Sequence, residues 1–158
     1  MKRTARGPAD AGGRRVGIYI KNDARARARA EELASWLRLR GVRVVRKIGP
    51  TGKAKLGPAQ APADLYCTFV LGGDGTFLSA VRWIGDREIP MLGVKFGELG
   101  FLAETAEENL LEAAERVLKG DFTIARRMRL EVRIDRKAKP RVRETVLNDV
   151  VINRGALA

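Results

Sequence analysis

Three glycines and one carboxylate, in Gly72-Gly73-Asp74-Gly75-Thr76, are the residues of this chain best suited to chemistry. The apolar run Leu65-Tyr66-Cys67-Thr68-Phe69-Val70-Leu71 precedes them and reads as a buried strand. Residues 77–84 follow with apolar spacing that suits a helix. A strand-to-helix turn of this composition offers backbone N–H groups and the positive end of a helix dipole, a natural place for a phosphate. Asp74 adds a negative group that can hold Mg²⁺ or accept a proton. The bland alternative is a tight turn with Asp74 as a helix cap. A second glycine-rich loop, residues 93–102, and the polar pair Asn148-Asp149 are the other candidates. Taken alone, that pair is ordinary beside a turn, and Phe77, Phe96 and Phe101 are core residues by type.

The composition removes several chemistries. There is no histidine in the 158 residues, which excludes a Ser-His-Asp triad, a histidine zinc site and any imidazole base. Acid–base work falls to Asp, Glu, Lys or Tyr. The single Cys67 lies inside the apolar strand, so it forms no internal disulfide and reads as a small buried hydrophobe in a reducing, cytoplasmic setting. A formal charge of +12 fits polyanionic ligands. Most of the excess sits in the N-terminal tail and on helix surfaces, without an aromatic-studded basic face, so nucleic acid is not favoured as a partner. No apolar stretch is long enough to span a bilayer, and no membrane partner is expected.

These residues need a frame to position them, and the pattern supplies one. Residues 1–14 are a basic, Gly- and Pro-containing tail read as disordered. Val16-Gly17-Ile18-Tyr19-Ile20 is a first strand. Asn22 or Asp23 caps a helix over 24–40, and Gly41 ends it. The Arg25, Arg27 and Arg29 ladder reads as mostly solvated surface, with a phosphate-binding role as the alternative. Residues 42–45 make a second strand and 49–62 a loop, in which Thr51-Gly52-Lys53 lacks the spacing of a phosphate-binding P-loop. Residues 90–94 form another buried strand. Thr105 with Glu108 suggests a capping box for a helix stopped by Gly120. Strands alternating with helices predict an α/β fold with a doubly wound, mostly parallel sheet over 15–124. Ligands in such sheets bind beyond the carboxyl ends of the strands, where both glycine loops fall. After Asp121 the period changes to two. Residues 128–134 and 141–147 alternate as a hairpin, with 148–152 continuing its second strand. Residues 125–158 thus read as the first strands of an all-β domain whose remainder is missing or supplied by another chain.

Three motifs in order resemble the NAD kinase family: Gly72-Gly73-Asp74-Gly75-Thr76, then Gly97-Glu98-Leu99-Gly100-Phe101-Leu102, then Leu147-Asn148-Asp149-Val150-Val151-Ile152. The first alone is shared with diacylglycerol and sphingosine kinases. The resemblance implies phosphoryl transfer from ATP, or polyphosphate, to the adenosine ribose 2′-hydroxyl of NAD. It implies Asp74 as the catalytic carboxylate, accepting or orienting the hydroxyl proton. Gly72, Gly73, Gly75 and Thr76 would handle the nucleotides, with Gly75 allowing close approach of the backbone. Phe77 would pack near the adenine, and Asn148 and Asp149 would hydrogen-bond the nicotinamide side or the ribose. Mg²⁺ would bridge the donor phosphates, its protein ligands unassigned. The resemblance also implies a homo-oligomer that binds small-molecule nucleotides. Lys95 and Ser79 depart from the family pattern. Two further readings stay open: a lipid kinase of the diacylglycerol type, and an inactive, truncated nucleotide-binding module.

Overall fold

The computed structural model describes residues 3–4, 13–50, 60–97, 100–135 and 141–152. The elements run β1 Arg3–Thr4, β2 Arg15–Ile20, α1 Ala24–Arg38, β3 Arg43–Ile48, β4 Cys67–Leu71, α2 Asp74–Ile84, β5 Met91–Lys95, β6 Thr105–Ala106, α3 Leu110–Lys119, β7 Thr123–Ile124, β8 Arg129–Ile134 and β9 Val142–Leu147. They fall into two compact units, Lys2–Ile124 and Ala125–Ala158.

The larger unit holds a five-stranded sheet in the order β3-β2-β4-β5-β6, every neighbouring pair parallel. Alternation along each strand feeds two cores. Val16, Ile18, Ile20, Cys67, Phe69 and Leu71 pack under α1 and α3 on one face, with Leu33, Leu37, Leu110 and Ala114. Tyr19 and Val70 pack on the other face with Ala80, Trp83 and Ile84 of α2. Strands covered on both faces read as continuous apolar runs, which explains the five consecutive buried residues of β4. Burial pushes the Cys67 thiol up to about 12, so it remains an unreactive core residue.

Chain order gives the sheet its functional asymmetry. From β2 the chain passes through α1 to β3 on one side, then returns to place β4 on the other side of β2. The carboxyl ends of β2 and β4 therefore flank a topological switch point, where open α/β sheets bind their ligands. Asp23 caps α1 by accepting a 2.8 Å hydrogen bond from the Ala26 amide. Gly120 closes α3 in the left-handed conformation, φ 73°.

Several expectations are corrected. Thr105 does not cap α3: its backbone pairs with Val94 as β6, and a 3₁₀ turn at Glu107–Asn109 leads into the helix instead. Arg29 is not solvated surface, because its guanidinium donates to the Glu107 carbonyl at 2.8 Å and pairs with the Glu107 carboxylate, which Arg25 also meets. These contacts tie α1 to the start of α3. Within the predicted tail, Arg3–Thr4 pairs antiparallel with Thr123–Ile124, and the rest of residues 1–12 lies outside the described residues, as do 51–59 of the predicted loop.

In the smaller unit β8 and β9 form a two-stranded antiparallel sheet, Arg129 opposite Leu147 and Ile134 opposite Val142. Residues 148–152 do not continue β9: Asn148 takes φ 65°, which ends the strand. No described residue of this hairpin is fully buried. Among the described residues, no helix is long and apolar enough to cross a membrane.

Candidate functional site

The corner after β4 is built by its first glycine. Gly72 has φ 154°, and a Cβ there would lie 2.7 Å from Thr76 Cβ and 2.9 Å from Thr76 Cγ2. No other residue makes this turn without displacing Thr76. Gly73 is extended and caps α2 through its carbonyl, which accepts from the Thr76 and Phe77 amides at 3.0 and 3.1 Å. Gly73 brings no side chain to this helix end. Without a side-chain cap the N-terminus keeps its positive character for whatever binds beside it.

Gly73 and Gly75 are glycines for another reason. A Cβ at either meets none of the described residues within 4 Å. Those residues give no steric need for glycine at either position, and Gly75, inside the first turn of α2, costs helix stability relative to alanine. Both line a cleft of about 320 Å³ whose other walls are Lys21, Thr76, Lys95 and Phe96. Lys21 follows β2 directly, with its amide bonded to the Leu71 carbonyl at 2.9 Å, and Lys95 ends β5. Strand ends β2, β4 and β5 thus deliver two cations and a helix N-terminus to one opening, a combination that attracts phosphate. Lys21 also meets Asp23 at 2.9 Å.

Asp74 is the first residue of α2 and is half-buried, so it is not sealed in the interior. It is not a helix cap, since Gly73 occupies that position. Its carboxylate accepts three backbone hydrogen bonds from the second glycine loop: Phe101 N–H at 3.0 Å, Leu102 N–H at 3.1 Å and Ala103 N–H at 3.3 Å. The Leu102 amide above all, helped by those of Phe101 and Ala103 and by the charge of Lys95, holds Asp74 below the usual carboxylate range against a partial desolvation that acts the other way.

The structure thus brings Gly72, Gly73, Asp74, Gly75 and Thr76 together with Lys95 and the 100–103 turn. Phe77 packs half-buried against the Tyr19, Val70 and Trp83 cluster, and Gly93 lets it come close, since a Cβ at 93 would lie 3.0 Å from Phe77 Cδ2. Ser79 is half-buried on α2. Asn148 and Asp149 belong to the smaller unit, where the Asn148 amide donates to Met128 O at 2.9 Å. Glu98 and Leu99 of the second motif lie outside the described residues. Sequence reasoning missed Lys21. Its signal was present as the first residue past a strand at the switch point. The tie between Asp74 and the 101–103 amides, with partners 27 to 29 positions apart, had no local signal.

Fold and site together define a doubly wound α/β domain with a glycine-lined cleft, flanked by two lysines, at its strand ends. Residues 16–122 match the ATP-NAD kinase N-terminal domain. The chain is 48% identical over 148 residues to the NAD kinase of Desulfatibacillum aliphaticivorans, covering 92% of this chain and 52% of that one. It is 41% identical over 152 residues to the NAD kinase of Geobacter sulfurreducens, covering 92% and 53%. The chain therefore spans about half the length of these curated relatives. Among solved structures, yeast NADH kinase complexed with NADH shares the fold, with a TM-score of 0.62 at 19% identity over 85% of this chain and 46% of that one. The chain belongs to the NAD kinase family.

Proposed function

We propose that this chain carries the phosphoryl-transfer corner of an enzyme that moves the terminal phosphoryl group of ATP to the adenosine ribose 2′-hydroxyl of NAD, giving NADP. The observation that carries the reading is a strand-end cleft lined by two side-chain-free glycines and two lysines at a helix N-terminus, with Asp74 standing between those two glycines in the chain. Lys21, Lys95 and the amide end of α2 meet the donor phosphates, and Asp74 meets the attacking hydroxyl. The hydroxyl oxygen bonds the terminal phosphorus as the bond from that phosphorus to its bridging oxygen breaks, the electron pair leaving with the nucleoside diphosphate. The hydroxyl proton passes to Asp74 and then to water. A carboxylate held below its usual range is a weak base, so this transfer comes late, after the forming P–O bond has acidified the hydroxyl. That order suits the loose transition state of phosphoryl transfer, in which positioning and charge stabilisation do most of the work.

The site fits magnesium carried in on the phosphates. Mg²⁺ keeps several waters and binds substrate phosphate oxygens. Asp74, with three amides on about four lone-pair sites, retains about one, which the attacking hydroxyl takes, so such an ion would be held by the donor-phosphate oxygens and water. When bound, the ion neutralises charge on the donor oxygens.

The test offers ATP with NAD, and in parallel with diacylglycerol, to the full chain. NADP formed from NAD, with no lipid phosphorylated, is expected. Lipid phosphorylation without NADP would establish the lipid-kinase alternative. Binding of both nucleotides without turnover would leave an inactive nucleotide-binding module. Replacing ATP by polyphosphate distinguishes the donors, since two lysines beside a helix end suit consecutive phosphates of either. The cytoplasm and a homo-oligomeric state follow from the same family reading.

A further inference from the structure

The turn 100–103 closes on itself through the Gly100 amide, which donates to the Ala103 carbonyl at 3.2 Å. Gly100 needs no glycine-only backbone, because its φ lies outside the left-handed range. Its missing side chain has a different cause. A Cβ at this position would lie 3.0 Å from Asp74 Cγ and 3.1 Å from Asp74 Oδ2, with Oδ1 closer still, and these are its three nearest atoms. The space a side chain would fill is therefore occupied by the carboxylate. The next three residues, Phe101, Leu102 and Ala103, turn their amides onto the same two oxygens. Gly93 sets the far side of this arrangement, since a Cβ there would come within 2.7 Å of Ala103 Cα. One residue thus vacates space for the carboxylate and three fix its oxygens, which sets its direction as well as its charge.

The geometry points to Gly100 as a positioning residue of the phosphoryl-transfer site: its bare Cα, with the three amides behind it, sets where the Asp74 carboxylate points and thereby where the accepting hydroxyl must stand. The second glycine loop is then a mount for the catalytic carboxylate of the first, in addition to any contact it makes with a nucleotide. The chemistry it serves rests on the function proposed above, whereas the mounting itself does not.

In Gly100→Ala the carboxylate must retreat, Oδ1 by roughly an ångström, before its contact with the new methyl is ordinary. Such misplacement of a reacting group costs about 100-fold in rate. Three measurements on the full chain test this. First, carbon-13 NMR of the Asp74 carboxyl and amide exchange at Leu102 are compared in parent and Gly100→Ala. The titration midpoint is expected to rise toward the ordinary value of about 4, with faster Leu102 exchange. Second, the melting temperature is measured across a cycle of Gly100→Ala, Asp74→Ala and the double variant. Gly100→Ala is expected to cost less once the carboxylate is gone, which also serves if Gly100→Ala folds poorly. Third, NADP formation is expected to show lower kcat at unchanged KM for NAD, with no further loss when Gly100→Ala is added to Asp74→Asn. An unmoved midpoint and exchange rate, or a melting cost independent of Asp74, overturns the mounting. An unchanged kcat alongside a displaced carboxylate overturns the positioning role. A parent that makes no NADP while the first two measurements behave as expected overturns the kinase reading and leaves the mounting in place.

Discussion

The Asp74 corner and the Asn148-Asp149 segment each set a carboxylate beside a polar turn, yet they stand on different supports. Asp74 follows a strand whose five residues are all buried, and three amides from a distant loop grip it. Asn148 follows a strand whose first four residues are exposed, and Val151 and Ile152 beyond it are 79% and 91% exposed. Cross-strand pairing of Glu131 with Arg143, flanked by Arg133, decorates that hairpin, but exposed ion pairs of this kind stabilise little. A catalytic group needs a direction fixed to a fraction of an ångström. The larger unit supplies that rigidity through burial and converging amides, whereas the hairpin, with none of its described residues fully buried, supplies a backbone turn.

The contrast breaks most visibly at Asp74. Asp74→Asn removes the carboxylate that the proposed reaction uses as proton acceptor and also turns an amide donor toward the N–H groups of the 101–103 loop. NADP formation by the full-length protein should fall about 10²–10⁴-fold. A rate near the parent's would show that the grip on this carboxylate serves the loop alone. Core truncation comes next. Phe69→Ala, at a fully buried site, should cost about 3–5 kcal/mol in urea unfolding followed by circular dichroism. Ile134→Ala, in the hairpin, should cost less than about 1 kcal/mol. Similar costs for the two would erase the distinction between the regions.

Asn148 sharpens it further. Its φ of 65° gives asparagine a purely local reason to be there, because this residue type tolerates the left-handed region. Asn148→Gly preserves that backbone and removes only the side chain. If the amide also holds NAD, KM should rise about tenfold, the value of roughly one hydrogen bond, with the unfolding midpoint unchanged. An unchanged KM assigns Asn148 to the turn. The smallest effect belongs to Gly75→Ala. No described residue opposes the methyl, so thermal stability should rise, by up to about 1 kcal/mol, while nucleotide affinity measured by calorimetry falls. Unaltered affinity would mean that the missing side chain makes room for nothing.

Much of the larger unit was legible from its letters. Runs such as 67–71 and the helical spacing of 110–118 state their burial directly, and the turn residues Asp23 and Gly120 act within a few positions of themselves. Thr105 misled because a capping box and a short edge strand share the same residues, and only Val94 across the sheet favours the strand. The run after Leu147 misled because alternation of side chains says nothing about φ at Asn148.

The order of residues along the chain, by itself, determined that a glycine corner would follow a buried strand, and composition that acid–base work by these 158 residues falls to groups other than histidine. Periodicity and residue type are local properties, and local properties survive in a linear text. Tertiary structure alone decided that Lys21 and Lys95 meet at one cleft, because strand order in the sheet is set by how crossovers pack. It also decided that Gly100 is bare to make room for Asp74, because a contact spanning 26 positions exists only once β4, β5 and the following loop have been laid side by side.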